Sequence, residues 1–277
     1  MLNELRYRIR AALIVGSVSA ATLVAQNGQP LPIGTRIPVH VQVMSSPAEQ
    51  LKYCSTLVTN IQNAPSKNTR FAAIGEVMAN LAVVAKTWPT DTTAVIQSYL
   101  MQSDIASRWN MPRNAVDAMS AAAPLARSTA FDHEVQRRLG QFLDTMGRFN
   151  EAEQHFLAAE ASPSLDKANR IEAQNTLQAI AIFYAHQNRP RDAMKRFQKL
   201  SSLPGQTPVN RAAFTLSALK EAVRIRNDPQ HSEARGVASV LDERIAEARG
   251  DARTPDDVLL IDSISRDAAR LRSLFHL

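Results

Sequence analysis

From Pro47 to the C-terminus, apolar residues recur at three- and four-residue steps. That is the signature of helices burying one face. Residues 70–87 place Phe71, Ile74, Met78, Leu81 and Val84 on a common face, and residues 92–109 do the same with Val95, Ile96, Tyr99 and Leu100. The pattern is interrupted at Pro89, Pro112, Pro124, Pro163, Pro190, Pro204, Pro229 and Pro255, where helices are predicted to end or begin. The last helix has the clearest start. Thr254 can cap it, Pro255 occupies the first turn without wasting an N–H, and Asp256 and Asp257 suit the positive helix end. Its predicted core face is Leu260, Ile264, Ala268, Leu271 and Phe275. Upstream, Pro30, Pro32, Pro38 and Pro47 exclude helix, and Val39, Val41 and Val43 alternate with His40 and Gln42 as a strand does. No second strand lies nearby, so residues 26–47 read as an extended Pro-containing linker, able to add to a partner's sheet edge.

Helices of this length joined by short turns form antiparallel pairs, and the pairs repeat. Leu139, Gly140, Leu143, Gly147, Ala152, Phe156 and Ala159 place small residues where two helices approach, a Gly at the turn and an aromatic in the groove between pairs. A second copy follows: Leu177, Ile180, Ala181, Tyr184, Asn188, Ala193, Phe197, Leu200 and Pro204, with Asn at the turn. A weaker third has Ala222, Asn227, Ala234, Ala238 and Leu241, and an upstream fourth has Asn110, Ala115, Met119 and Ala122. These offsets resemble the tetratricopeptide repeat, best over residues 133–204. Ala152, Ala193 and Ala234 are 41 residues apart, against a family period of about 34. The resemblance implies an all-α fold, a solenoid of antiparallel helix pairs over residues 48–277, with an irregular repeat.

What the resemblance further implies is protein–protein interaction, with the first helices of each pair lining a groove. In this register the groove residues are Arg137, Gln141, Asp144, Asn175, Gln178, His186, Arg226 and Asn227. The Lys and Asn pairs with which the family clamps a carboxylate are not reproduced cleanly. On the second helix, Arg191, Lys195 and Lys199 recur every four residues and form one basic ridge facing outward. The ridge suits anionic lipid headgroups or an acidic partner surface; it lacks the interleaved aromatics of a nucleic-acid binder.

Composition sharpens this picture. Hydrophobic residues are 45% of the chain, aromatics 5%, and Gly only 9 residues, a globular, helix-favouring balance. The net charge is +6, and the stretch Arg189–Arg235 alone carries ten Lys/Arg against four acids. The single cysteine, Cys54, excludes an internal disulfide and reads as a small buried hydrophobe.

The first 25 residues join a basic start, MLNELRYRIR, to the apolar run AALIVGSVSAATLVA. This is the pattern of a secretory signal, cleaved after Ala25 or Ala21, or of a retained membrane anchor. It places the body outside the cytoplasm, in a periplasm or at a membrane. An Arg-bearing start is also the pattern of a mitochondrial transit peptide.

No catalytic motif is present: the six His include no His-Glu-x-x-His, and there is no Gly-rich phosphate loop or Gly-x-Ser-x-Gly. Asp132, His133 and Glu134 are adjacent on a helix and diverge by about 100° per residue, so they do not converge on one metal. No cofactor or metal is expected. The sequence thus predicts a non-enzymatic scaffold or docking subunit of an envelope assembly. The alternatives are a helical accessory domain of an envelope enzyme system, or a mitochondrial RNA- or ribosome-associated helical protein.

Overall fold

The computed structural model describes residues 40–226, 228 and 230–277. Among them are twelve helices and no strand, so the all-α class is observed directly. The expected signal or anchor segment, most of the linker, and Asn227 lie outside the described residues. No helix among the described residues is long and apolar enough to cross a membrane. Packing divides the chain into two units. The first holds the described residues up to Arg127 with Thr145–Arg148, and the second Ser128–Asp144 with Phe149–Leu277.

The first unit contains α1 (Pro47–Gln62), α2 (Lys67–Thr87), α3 (Thr92–Arg108) and α4 (Pro112–Ala126). Each of the first three starts at a side chain that satisfies an orphan N–H. The Ser46 hydroxyl accepts from Glu49, Ser66 forms a reciprocal box with Thr69, and Asp91 accepts from Ala94. Cys54, Leu57 and Ile61 of α1 pack on Ile74, Val77 and Leu81 of α2 and on Ile105 of α3. Cys54 is fully buried, and the loss of hydration pushes its thiol pKa up to about 11, so it is inert as a nucleophile.

Two sequence expectations are corrected in this unit. Phe71 is exposed rather than on the core face of α2, with Lys67 Nζ 5.9 Å from its ring; Val77 takes the inner position instead. Pro124 does not end α4 but sits inside its last turn, where one lost hydrogen bond is least costly.

Residues 40–44 run without regular structure beside α1 and α2. Two fully buried amides hold them. Asn80 Nδ2 donates to the His40 carbonyl (2.8 Å) and its Oδ1 accepts from Gln42 N–H (3.0 Å). Gln50 Nε2 donates to the Gln42 carbonyl (3.1 Å) and its Oε1 accepts from Met44 N–H (2.9 Å). Side chains thus supply what a neighbouring strand would, and the alternating run forms no ladder.

The second unit contains α5 (Asp132–Thr145), α6 (Phe149–Ala161), the single turn α7 (Pro163–Asp166), α8 (Arg170–His186), α9 (Pro190–Ser201), α10 (Pro208–Ala222), α11 (Ser232–Asp251) and α12 (Pro255–Phe275). Consecutive helices pack as pairs: α8 on α9, α9 on α10, and α10 on α11. The small residues of the repeat pattern lie at the contacts. Ala152, Ala159, Ala181, Ala193, Ala222 and Ala234 are all fully buried. At Gly140 of α5 the approach is closest, since a Cβ there would stand 2.8 Å from the Phe156 ring. Phe156 packs in turn on Phe183, with centroids 4.9 Å apart, and Phe183 meets Tyr184 edge-on.

The turn positions also follow the pattern. Asn110, Gly147 and Asn188 have φ of 56°, 75° and 55°. At Asn188 the left-handed residue lets Arg189 N–H reach back to the Tyr184 carbonyl at 2.9 Å, closing α8. The last helix caps the stack on α10 and α11, tied by Lys220–Asp267 and Arg272–Asp242. It buries Ile261, Ile264 and Ala268, while Leu260 is exposed, so the predicted core face is right at Ile264 and Ala268 but one residue early at its start.

Candidate partner-binding surfaces

The predicted groove residues are spread over α5, α8 and the segment after α10. On α5, Arg137 donates to Gln141 Oε1 at 2.6 Å, so these two are neighbours on one helix face. At the ends of α5, α8 and α10 stand Asp144, His186 and Glu221. Burial pushes the Asp144 carboxyl above its usual pKa, and the positive field of His186 opposes the shift. Glu221 behaves alike: burial raises it, while Arg224 and then His186 pull it down. The charge of His186 thus acts on one acid of α5 and one of α10. Asn175 is exposed and Gln178 half-buried on α8. Arg226 is exposed in the turn after α10, and Asn227 lies outside the described residues. Glu221 was not among the predicted groove residues, because its coupling to His186 joins positions 35 residues apart in sequence.

The predicted ridge on α9 is exposed at all three positions. Two of its members are spent on neighbouring helices: Arg191 pairs with Glu233 at 2.8 Å and Lys199 with Glu160 at 3.5 Å. Lys195 has no ion pair among the described residues. The stronger electrostatics lie one residue off the ridge. Arg189 and Arg196 stack against Tyr184, with guanidinium carbons 4.5 and 4.8 Å from the ring centroid. Arg189 also pairs with Glu153 and Asp192, Arg196 with Glu160 at 3.0 Å, and the Tyr184 hydroxyl donates to Glu153 at 3.2 Å. This network joins α6, α8 and α9, so most of the charge read as a ligand-seeking stripe holds helices together.

A buried polar cluster occupies the start of α5. His133 Nδ1 lies 2.9 Å from Ser164 Oγ, Ser164 Oγ 2.9 Å from Ser162 Oγ, and Ser162 donates to Asp132 at 2.6 Å. The residue types are those of acyl-transfer triads, but the order is wrong. The carboxylate holds a second serine rather than the imidazole, and Ser164 Oγ already accepts His133 N–H at 3.0 Å. His133 and Ser164 are buried, so a substrate carbonyl has no path to them. Burial depresses the His133 pKa, keeping the ring neutral. Glu134, the third member of the adjacent trio, turns instead to Arg138 at 2.7 Å, so Asp132 and His133 reach one serine pair and only Glu134 diverges from it.

Two cavities on the second unit bear on the predicted ridge helix α9. One, of about 260 Å³, is lined by Asn188, Arg189, Arg191, Asp192, Arg224 and Arg226, with Pro190 and Ile225 beneath. The other, of about 320 Å³, runs between α9 and α11 over Met194, Thr215, Val237 and Val240. The first collects one predicted groove residue, Arg226, and one predicted ridge residue, Arg191, which the sequence placed on separate faces.

No protein-family model matches this chain, and no curated protein does. Among solved structures, the chain is similar to the crystal structure of BtubC (BKLC) from P. vanneervenii, at 12% identity and a TM-score of 0.45, over 76% of this chain and 96% of that one. The functional reading rests on this chain's own residues.

Proposed function

We propose that this chain is a non-enzymatic docking or scaffold protein of tetratricopeptide-like construction, working in an envelope or membrane-associated assembly. The docking reading is supported by polar side chains at the ends of successive first helices, Asp144, His186 and Glu221, whose charges act on one another across helices. A repeated fold offers such positions to an extended partner, residue by residue. The basic, then apolar, first 25 residues support an exported or anchored chain.

The test is a pull-down of the full chain from detergent-solubilised cells, washed at high salt, with N-terminal sequencing of the recovered protein. Stoichiometric protein partners that survive the wash are the expected result, with a chain starting at Thr22, Gln26 or an intact Met1 distinguishing cleavage from anchoring. Recovery of RNA that salt removes, or hydrolysis of cell-wall polymer by the purified chain, would overturn the proposal.

A further inference from the structure

The cavity of about 260 Å³ joins two turns that are far apart in sequence. Arg189 and Arg191 flank Pro190 at the start of α9, and Arg224 and Arg226 follow α10. Its lining holds four arginines against one acid, Asp192. Three of those arginines already grip carboxylates of this chain: Arg189 holds Glu153 and Asp192, Arg191 holds Glu233, and Arg224 holds Glu221. Arg224 also donates to Asn188 Oδ1 at 3.3 Å, which links the two turns. Arg226 is exposed and has no acidic partner among the described residues.

A guanidinium carries five N–H donors in a planar fork and accepts nothing, and one carboxylate occupies two donors at most. The engaged arginines therefore keep donors to spare, and the fourth keeps all of its own. The cavity is rich in donors, poor in acceptors and open to solvent. Its volume of about 260 Å³ falls below the roughly 300 Å³ at which small-molecule sites begin, yet admits an amino-acid side chain. No aromatic ring lines it, so it offers no platform on which a nucleic-acid base would stack.

We infer that this cavity receives a carboxylate from an acidic segment of a partner protein, with Arg226 forming the new ion pair and Arg191 and Arg224 donating from either side. The inference rests on the docking function proposed above and names the partner's chemistry. It turns the basic stretch Arg189–Arg235 from a diffuse face into one point of recognition. Arg226 has no competing acid, so the incoming carboxylate displaces nothing there.

The experiment measures binding of fluorescein-labelled hexaglutamate to the full chain by fluorescence anisotropy at low salt. Parallel probes are hexaglutamine, a uridine oligonucleotide and vesicles with anionic lipid. Hexaglutamate should bind and hexaglutamine should not. Arg226→Ala should weaken binding about fivefold, and Arg226→Glu about tenfold or more, the scale of losing and then reversing one exposed charge pair. Arg270→Glu makes the same charge change on an exposed position of α12 outside the cavity lining and should leave affinity within about twofold. Far-UV circular dichroism of each variant checks that the helices persist.

Equal weakening by Arg226→Glu and Arg270→Glu would show a diffuse charge effect and overturn the cavity. So would absence of hexaglutamate binding, or tighter Arg226-dependent binding of the oligonucleotide or the vesicles. Pull-down with the Arg226→Glu chain separates the two levels. Partners retained by wild type and variant alike would overturn the cavity while leaving the docking function standing, whereas no partner for either chain would overturn docking itself.

Discussion

Gly140 and Gly236 both lie inside helices, α5 and α11, and differ in what stands opposite them. An added Cβ at Gly140 meets the Phe156 ring at 2.8–2.9 Å, while at Gly236 nothing lies within 4 Å. Replacing either by Ala gains the same helix propensity, about 1 kcal/mol. At Gly140 the methyl must also displace a ring that is itself wedged on Phe183, and overpacking of this kind costs about 1–3 kcal/mol. Gly236→Ala should therefore stabilise by about 1 kcal/mol, and Gly140→Ala should range from neutral to about 2 kcal/mol destabilising. At roughly 2–4 °C per kcal/mol the two melting temperatures should differ by roughly 2–12 °C.

The chain supplies its own control. Far-UV circular dichroism follows all helices, and Gly140→Ala should move the dichroism transition downward relative to Gly236→Ala. Adding Phe156→Leu to Gly140→Ala should recover part of the loss, with a coupling of about 0.5–3 kcal/mol between the two sites. If both alanines stabilise equally, Phe156 is not held against Gly140, and the close-packed helix pair argued above is wrong.

Other consequences follow from the same packing. Tyr184→Phe removes only the hydroxyl bond to Glu153 and should cost about 0.5–1.5 kcal/mol in urea unfolding, whereas Tyr184→Ala also removes the ring beneath Arg189 and Arg196 and should cost about 3–5 kcal/mol. Asn80→Ala should free the backbone of residues 40–44, seen as faster amide exchange at Gln42, which loses its Asn80 partner. For His133 the folded pKa is depressed below 6.5, so the unfolded chain takes up the proton first. Its contribution to stability is complete above pH 6.5 and is lost as pH falls toward the folded pKa. Unfolding midpoints measured from pH 8 down to pH 5 should fall more steeply for wild type than for His133→Gln; identical slopes would contradict the buried neutral ring.

Much of the helical body is legible from its residues taken in order. Proline positions, the Thr254 cap, and the three- and four-residue apolar step are local signals, and local backbone geometry reads them without help from the rest of the chain. The alanines at repeat offsets and the left-handed Asn110, Gly147 and Asn188 belong to the same class. Three things were decided only in three dimensions. Which edge of an apolar stripe faces the core depends on the neighbouring helix, so Val77 is inside where Phe71 was expected, and Ile261 where Leu260 was. Whether an alternating run becomes a strand depends on what pairs with its backbone, and here Asn80 and Gln50 do. Whether a charge is free depends on an acid far away in sequence: Glu160, 39 residues from Lys199, and Glu233, 42 residues from Arg191. Spacing along one helix marks a row of cations, but only the packing of its neighbours decides which of them already hold the fold together and which, like Lys195, still face outward.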